Sequence, residues 1–120
     1  MLTELHINQN PVSDIAMLSK MNQLSILDLE HMSVEDLEGI RGLYNLRNLN
    51  ISGTRIRSLK YLSKLIELEE LSISNTNIKN LKPLSGLNNL KILRCYNTPL
   101  KQSRVAGFKA QHKDAEVVFY

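Results

Sequence analysis

Four side chains in the first quarter of the chain could bind a metal ion or respond to pH: His6, Asp28, Glu30 and His31. Imidazole and carboxylate groups are common zinc ligands, and histidine is the side chain that titrates near neutral pH. His6 and Asp28 lie 22 residues apart, which is the period of a repeat in this chain. We therefore expect them on adjacent strands, about 4.8 Å apart. An ordinary His–Asp contact on a polar sheet surface explains the same spacing, and we favour it, with no metal bound.

Cys95 is the only cysteine and thus the only thiol nucleophile to consider. One cysteine can form neither an intramolecular disulfide nor a Cys-based metal site. The repeat pattern assigns its position to the core, so we interpret it as a small buried hydrophobe. The five glycines match neither a P-loop nor a dinucleotide-binding fingerprint. Because no acid, base and nucleophile converge, the sequence predicts no enzyme activity and no cofactor.

The elements that position these residues come from an internal repeat. Copies start at residues 2, 24, 46, 68 and 90. Each of the first four carries apolar residues at positions 1, 4, 6, 11, 14, 17 and 20, which in the third copy are Leu46, Leu49, Ile51, Ile56, Leu59, Leu62 and Leu65. No copy can bury such a face alone, so the copies must stack into a solenoid.

The apolar spacing changes within each copy and predicts the local structure. Positions 4 and 6 are two residues apart, which indicates a short strand with both side chains turned inward. Positions 11, 14, 17 and 20 are three apart, which favours 3₁₀ turns. Position 9 holds Asn10, Met32, Thr54, Thr76 and Thr98. A threonine hydroxyl can hydrogen-bond backbone groups, whereas a methionine side chain cannot.

The repeat stops after Leu100, and residues 101–120 form a different unit. Val105, Ala106 and Phe108 fit one face of a short helix between about residues 102 and 112. The final AEVVFY is rich in β-branched and aromatic residues and predicts a strand. Terminal repeats are atypical because the end of a solenoid must be sealed. We therefore predict a helix–strand cap.

The segments SDIAMLSKMNQL and IKNLKPLSGLNNL, with the L-x-x-L-x-L starts of the copies, resemble leucine-rich repeats of the phosphatase-regulator and internalin type. The ending NTPLKQSRVAGFKAQHKDAEVVFY looks like the caps of bacterial members. The resemblance implies an α/β solenoid: a right-handed leucine-rich repeat, one domain over residues 1–120, with a parallel concave sheet and 3₁₀ turns on the convex side. The family usually has asparagine at position 9 and a dedicated N-terminal cap. Met32 departs from the first pattern, and Leu2 already fills position 1, so we expect a segment of a longer protein.

Composition narrows the class of protein further. The chain has 120 residues, of which 42% are hydrophobic, and this is enough for one packed domain. Its net charge of +3 is too small to argue for nucleic acid by itself. No apolar run is long enough to span a membrane. The start, MLTELHINQN, has no signal-peptide features. The compartment is left open, with the cytoplasm favoured if Met1 is the native start.

Positions 3, 5 and 7 of each copy should face outward from the concave sheet, including Asn8, Ser52 and Ser74 at position 7. We predict that a protein or peptide binds there and that no small-molecule substrate does. Arg94 and Tyr96, beside Ile92, form the expected hot spot, since aromatic and arginine side chains often dominate interfaces. At the other end of the face, the acidic residues Asp28, Glu30 and Glu70 would steer a basic segment of the partner. The predicted binding residues are Ile26, Asp28, Glu30, Asn48, Asn50, Glu70, Ser72, Ile92, Arg94 and Tyr96.

Two alternatives stay open. Positions 12 and 15 stack basic residues along one outer flank, and these could bind an anionic partner such as nucleic acid; they are Arg57, Lys60, Lys79, Lys82 and Lys101, with Arg104 in the cap. Aromatic stacking platforms are missing near this flank, which disfavours nucleic acid. The chain could instead be a structural spacer. Separately, Leu2, Leu5 and Ile7 should leave an apolar end that favours self-association.

Overall fold

The computed structural model describes residues 2–7 and 14–120. Asn8 and Asn10 lie outside the described residues, so the predictions for these two stay predictions. The strands are β1 Glu4–His6, β2 Ile26–Asp28, β3 Asn48–Asn50, β4 Glu70–Ser72, β5 Ile92–Arg94 and β6 Glu116–Val118. The 3₁₀ segments are η1 Ala16–Lys20, η2 Glu38–Ile40, η3 Lys60–Leu62 and η4 Lys82–Leu84, and the α-helix is α1 Gln102–Gln111.

The six strands form one parallel sheet in chain order, β1-β2-β3-β4-β5-β6. Leu27 pairs with Leu5 on one side and Leu49 on the other, so each strand of a copy is aligned with the same position of the next copy. This alignment keeps the position-4 leucines on one face of the sheet, because side chains alternate along a strand. The predicted strand in each copy is therefore confirmed.

The core lies between the sheet and the layer of 3₁₀ segments. On the sheet side, Leu49 of β3 and Ile51 directly after β3 enter the core. On the other side, Leu59 directly before η3 and Leu62 at the end of η3 enter it. All four are at most 2% exposed. Side chains three residues apart line up in a 3₁₀ helix, which explains why the spacing of three gives these segments. The predicted solenoid of strands and 3₁₀ turns is confirmed.

The turns after β2, β3, β4 and β5 are closed by hydrogen bonds from position 9 of their copies. The Thr54 hydroxyl donates to the Ile51 carbonyl at 2.7 Å, and the Thr76 hydroxyl donates to the Ile73 carbonyl at 2.6 Å. Met32 has no such hydroxyl and is buried, and its backbone N–H donates to the Leu29 carbonyl at 3.1 Å. Backbone pairing thus replaces the side-chain hydrogen bond in that copy.

The carboxy-terminal cap is a helix followed by a strand, as predicted. Val105 and Phe108 of α1 are buried against the last repeat. Ala106, predicted on the same face, is exposed because it lies one residue, and so a large rotation, away from Val105. His112 stacks on Phe108 with ring centroids 4.1 Å apart. Within the described ranges, no helix has the length and apolar character needed to cross a bilayer.

Candidate functional site

The concave face presents two rows of side chains, at positions 3 and 5 of the copies. The strand pairing puts Ile26, Asn48, Glu70 and Ile92 next to one another in one row. The second row is Asp28, Asn50, Ser72 and Arg94. All eight are half-buried, since each is flanked by neighbours on adjacent strands. The structure therefore brings together the binding residues predicted for these two positions.

Hydrogen bonds across strands hold the middle of this face in place. Asn48 Nδ2 donates to Glu70 Oε2 at 2.9 Å, and Asn50 Nδ2 donates to Glu30 Oε2 at 2.9 Å. The Asn50 side-chain oxygen also accepts the Ser52 N–H at 3.0 Å. Ordered carboxylates lose less entropy when they bind a partner than freely rotating ones do. The Glu30 and Glu70 carboxylates are thus held in place by the chain's own side chains.

The amino-terminal part of the concave face is a cluster of histidines and carboxylates. His6 Nδ1 lies 3.6 Å from Asp28 Oδ2, and His6 Nε2 lies 3.6 Å from Glu4 Oε1. His31 Nε2 lies 3.4 Å from Glu30 Oε1. The predicted His6–Asp28 proximity is confirmed. Across residues 2–7 and 14–120, no three histidine, cysteine or acidic side chains are grouped so that they could hold a metal ion.

Position 7 differs from the prediction in the middle of the sheet. Ser52 and Ser74 are 6% and 1% exposed, so the prediction that they face the concave surface is wrong. The Ser74 N–H donates to Ser52 Oγ at 3.1 Å, and the Tyr96 N–H donates to Ser74 Oγ at 3.2 Å. These small hydroxyls link the turns of successive copies, and close approach of the turns covers them.

The carboxy-terminal end of the face carries an aromatic pair. The rings of Tyr96 and Tyr120 stack with centroids 5.6 Å apart and an interplanar angle of 13°. Arg94, two residues before Tyr96 at the end of β5, donates from Nη1 to Ser72 Oγ at 3.4 Å. Val118 pairs with Arg94, and Tyr120 is 85% exposed. We call Ile92, Arg94, Tyr96, Val118 and Tyr120 the aromatic end.

Sequence reasoning missed Val118 and Tyr120 as members of this surface. It predicted a strand from AEVVFY but did not align that strand with the repeat. Since Glu116 pairs with Ile92, the residues Glu116, Val118 and Tyr120 occupy positions 3, 5 and 7 of a sixth copy. The alternation of outward residues in the tail was the signal that could have found them.

Cys95 lies in the core and is fully buried, as predicted. Burial raises the pKa of its thiol from 9.0 to about 11, and the nearby charge of Lys109 lowers it by a smaller amount. The reactive form of cysteine is the thiolate. At neutral pH this thiol is therefore neutral, shielded and a poor nucleophile.

The basic flank, Arg57, Lys60, Lys79, Lys82, Lys101 and Arg104, is fully on the surface. In the described part of the chain, none of these six cations has a carboxylate within 4.0 Å. Arg104 Nη1 reaches Asn80 Oδ1 at 3.5 Å. Lys60 Nζ lies 5.0 Å from the centre of the Tyr61 ring, so the expectation that aromatic rings are missing near this flank is wrong. Glu35 and Asp36 line the cleft next to Arg57, so the charge at that end is mixed.

A parallel sheet on the concave side, 3₁₀ segments on the convex side and a repeated strand alignment define a leucine-rich repeat solenoid with an open face. No protein-family model matches the chain, and no curated protein matches its sequence. Solved structures do match this fold.

Internalin C2 of Listeria monocytogenes matches with a TM-score of 0.92 and 21% identity, over 99% of this chain and 52% of that one. The functional domain of InlJ from the same organism matches with a TM-score of 0.81 and 19% identity, over 98% of this chain and 24% of that one. A leucine-rich repeat protein of Leptospira interrogans matches with a TM-score of 0.76 and 22% identity, over 98% and 37%. The chain thus spans about half or less of these structures.

Proposed function

We propose that this chain is a non-enzymatic interaction module that binds a protein or peptide on its concave face. The observation that supports this proposal best is the aromatic end, where the stacked Tyr96 and Tyr120 lie beside Arg94. Tyrosine and arginine are enriched among residues that dominate binding energy. Two stacked rings present a large, rigid surface that loses little entropy on binding.

The two ends of the face differ in chemistry, and this favours an asymmetric partner. Asp28 and Glu30 place negative charge toward the amino-terminal side, whereas Arg94 and the tyrosines lie at the other side. Glu70, on β4, lies beside Ile92 of the aromatic end. Complementary charge mainly increases the association rate and fixes the orientation of a partner. We therefore propose a partner segment with a basic part and an apolar or aromatic part. A flat sheet suits such a segment better than a small molecule, which needs a concave pocket.

The test uses peptides selected from a random library displayed on phage against the wild-type chain. Selected peptides are then measured by calorimetry against Arg94→Ala and Tyr96→Ala. We expect each change to weaken binding by more than about 1 kcal/mol, because both remove a hot-spot side chain. Stability should change little, since both side chains are only half-buried.

Ser58→Ala is the matched control, since Ser58 is exposed on the outer side. It should leave affinity unchanged. Peptides that bind the Arg94 and Tyr96 variants as tightly as the wild type, and lose affinity on Arg57→Ala or Lys82→Ala, would show that the concave face is not the site. A library that yields no binder would favour the spacer role.

The second candidate function is binding of an anionic partner by the basic flank. Its support is the row of exposed cations without carboxylate partners in the described residues. Neutralising phosphates releases counterions, so binding to a DNA or RNA duplex would fall steeply with salt. Titration of a labelled duplex at about 50 and about 200 mM salt checks this. Affinity that is absent at low salt would rule nucleic acid out.

A further inference from the structure

A groove separates η4 from the cap helix α1 on the convex side of the solenoid. Its volume is about 330 Å³, which is at the lower end of the range for small-ligand sites. Lys82 and Ser85 stand on the wall that the fourth copy supplies. Ser103, Gly107 and Gln111 stand on the other wall, because residues four apart lie on the same side of an α-helix. The groove therefore runs along α1.

Gly107 keeps the middle of this groove open. A Cβ added there would meet no atom within 4 Å, so the space beside it is free of other side chains. Leu81 and Phe108, which are 4% and 3% exposed, also line the groove and give it an apolar floor. A ligand in the groove would thus contact apolar atoms at the bottom and polar groups at the walls.

Lys82 and Arg104 place one positive charge on each wall. Among residues 2–7 and 14–120, no carboxylate lies within 4.0 Å of either cation, and none of the residues that line the groove is acidic. Arg104 Nη1 donates to Asn80 Oδ1 at 3.5 Å, and the same oxygen accepts the Lys82 backbone N–H at 2.9 Å. Asn80 thus connects the two walls and orients the guanidinium group across the groove.

Ser85 and Ser103 add one hydroxyl donor on each wall, and neither hydroxyl has a hydrogen-bond partner among the described residues. Two cations and two hydroxyls match a phosphate monoester, which carries a charge of about −1.5 to −2 and three acceptor oxygens. Guanidinium groups bind phosphate with two parallel hydrogen bonds, and such charge-assisted bonds are stronger than neutral ones. A carboxylate has a single charge and two oxygens, so it would leave part of this set unused.

We propose that the groove between η4 and α1 binds a small organic phosphate monoester whose apolar part contacts Leu81 and Phe108. Lys82 and Arg104 hold the phosphate group from opposite walls, and the serine hydroxyls donate hydrogen bonds to its remaining oxygens. A free metabolite and a phosphorylated side chain of a partner protein both offer this chemistry. The groove lies on the opposite side of the solenoid from the concave face, so the proposal stands independently of the function proposed there.

Nuclear magnetic resonance titration of the isotope-labelled chain with phenyl phosphate tests the proposal, up to about 10 mM ligand, since this range covers weak binding. We expect saturable shifts of the backbone amide signals of the groove residues. Phenol lacks the phosphate group and should bind at least about tenfold more weakly, because the charge-assisted contacts are lost. Inorganic phosphate should also bind more weakly, because it does not reach the apolar floor.

Gly107→Leu fills the groove and should abolish these shifts. Leucine is a better helix former than glycine, and the added Cβ meets no atom within 4 Å, so α1 should be preserved. Gly42→Leu is the matched control, because a Cβ there also meets nothing within 4 Å and Gly42 does not line the groove. It should bind phenyl phosphate like the wild type. Circular dichroism of both variants checks the fold.

Lys82→Gln and Arg104→Gln should each raise the dissociation constant at least about tenfold, because each removes a charge-assisted contact. Arg57→Gln removes the same charge outside the groove and should have no effect at about 150 mM salt, where distant charges are screened. The proposal is overturned if the wild type shows no saturable shifts, if Gly107→Leu binds like the wild type, or if Arg57→Gln weakens binding as much as Arg104→Gln.

A short alanine peptide with one phosphotyrosine distinguishes the two sources of the phosphate group. Tighter binding than that of phenyl phosphate, lost in Gly107→Leu, would assign the group to a partner protein. Equal or weaker binding would assign it to a free metabolite.

Discussion

At the scale of single residues, the turn after β3 depends on Gly53. Its φ of 71° lies in the left-handed region, and a Cβ there would overlap the His31 ring. His31, Asn75 and Asn97 adopt similar φ values of 63°, 58° and 53° at the same position of their copies. Asparagine tolerates this conformation better than most residues. The repeat therefore imposes the same backbone conformation on these four positions. Among them, Gly53 also lacks room for a Cβ, because the His31 ring occupies that space.

Gly53→Ala should lower the free energy of unfolding by about 1–2 kcal/mol from the backbone alone, with a further loss from the clash with His31. In a His31→Ala background the second part should disappear, so the two changes are non-additive. Urea unfolding of the four chains measures this. Gly86→Ala is the control, because a Cβ there meets nothing within 4 Å. Equal losses in both backgrounds would show that the ring contact is unimportant.

Cys95 predicts a pH dependence of stability. Burial raises the pKa of its thiol from 9.0 to about 11, so between these values the folded state binds more protons than the unfolded state. Its contribution is present in full below pH 9 and is lost as pH rises through about 11. The loss is at most about 3 kcal/mol. Cys95→Val should remove it, and the difference in urea midpoints between the two chains across this range checks the sign.

At the scale of elements, each strand and 3₁₀ segment is stabilised by the copy on either side. Leu71→Ala, in the middle of β4 and 0% exposed, should reduce stability by about 2–5 kcal/mol. Leu2→Ala should reduce it less, because Leu2 is 50% exposed. Chemical denaturation of both variants, at a concentration where the chain is monomeric, gives the comparison. A larger loss for Leu2 would contradict the stacking that we describe.

The elements were largely predictable because their signal is periodic. The spacing of Leu49 and Ile51 gave the strand, and the spacing of Leu59 and Leu62 gave the 3₁₀ segment. The concave surface was less predictable, since exposure there depends on how closely neighbouring turns approach. Ser52 and Ser74 look like surface residues in a strand pattern, yet the turns of adjacent copies bury them. The pattern of polar and apolar residues within one copy does not show how closely the turns of neighbouring copies approach.

The pairing of the two tyrosines was hidden for the same reason. Tyr96 lies in the repeat, whereas Tyr120 lies 24 residues further on, after the helix of the cap, so the two do not follow the 22-residue period. Only the strand alignment of β6 with β5 places the rings face to face. The repeat period of the sequence does not relate these two segments, so only the structure shows that they share one surface.

At the scale of the whole molecule, every copy from β1 to β5 is aligned with the next by the same shift of 22 residues. Residues 46–67 are one such unit, bordered by turns of the same backbone shape. Gain or loss of one unit would change the separation between the Asp28–Glu30 pair and the tyrosine pair by one strand spacing, about 4.8 Å. The number of copies therefore sets the distance between these two groups on the concave face.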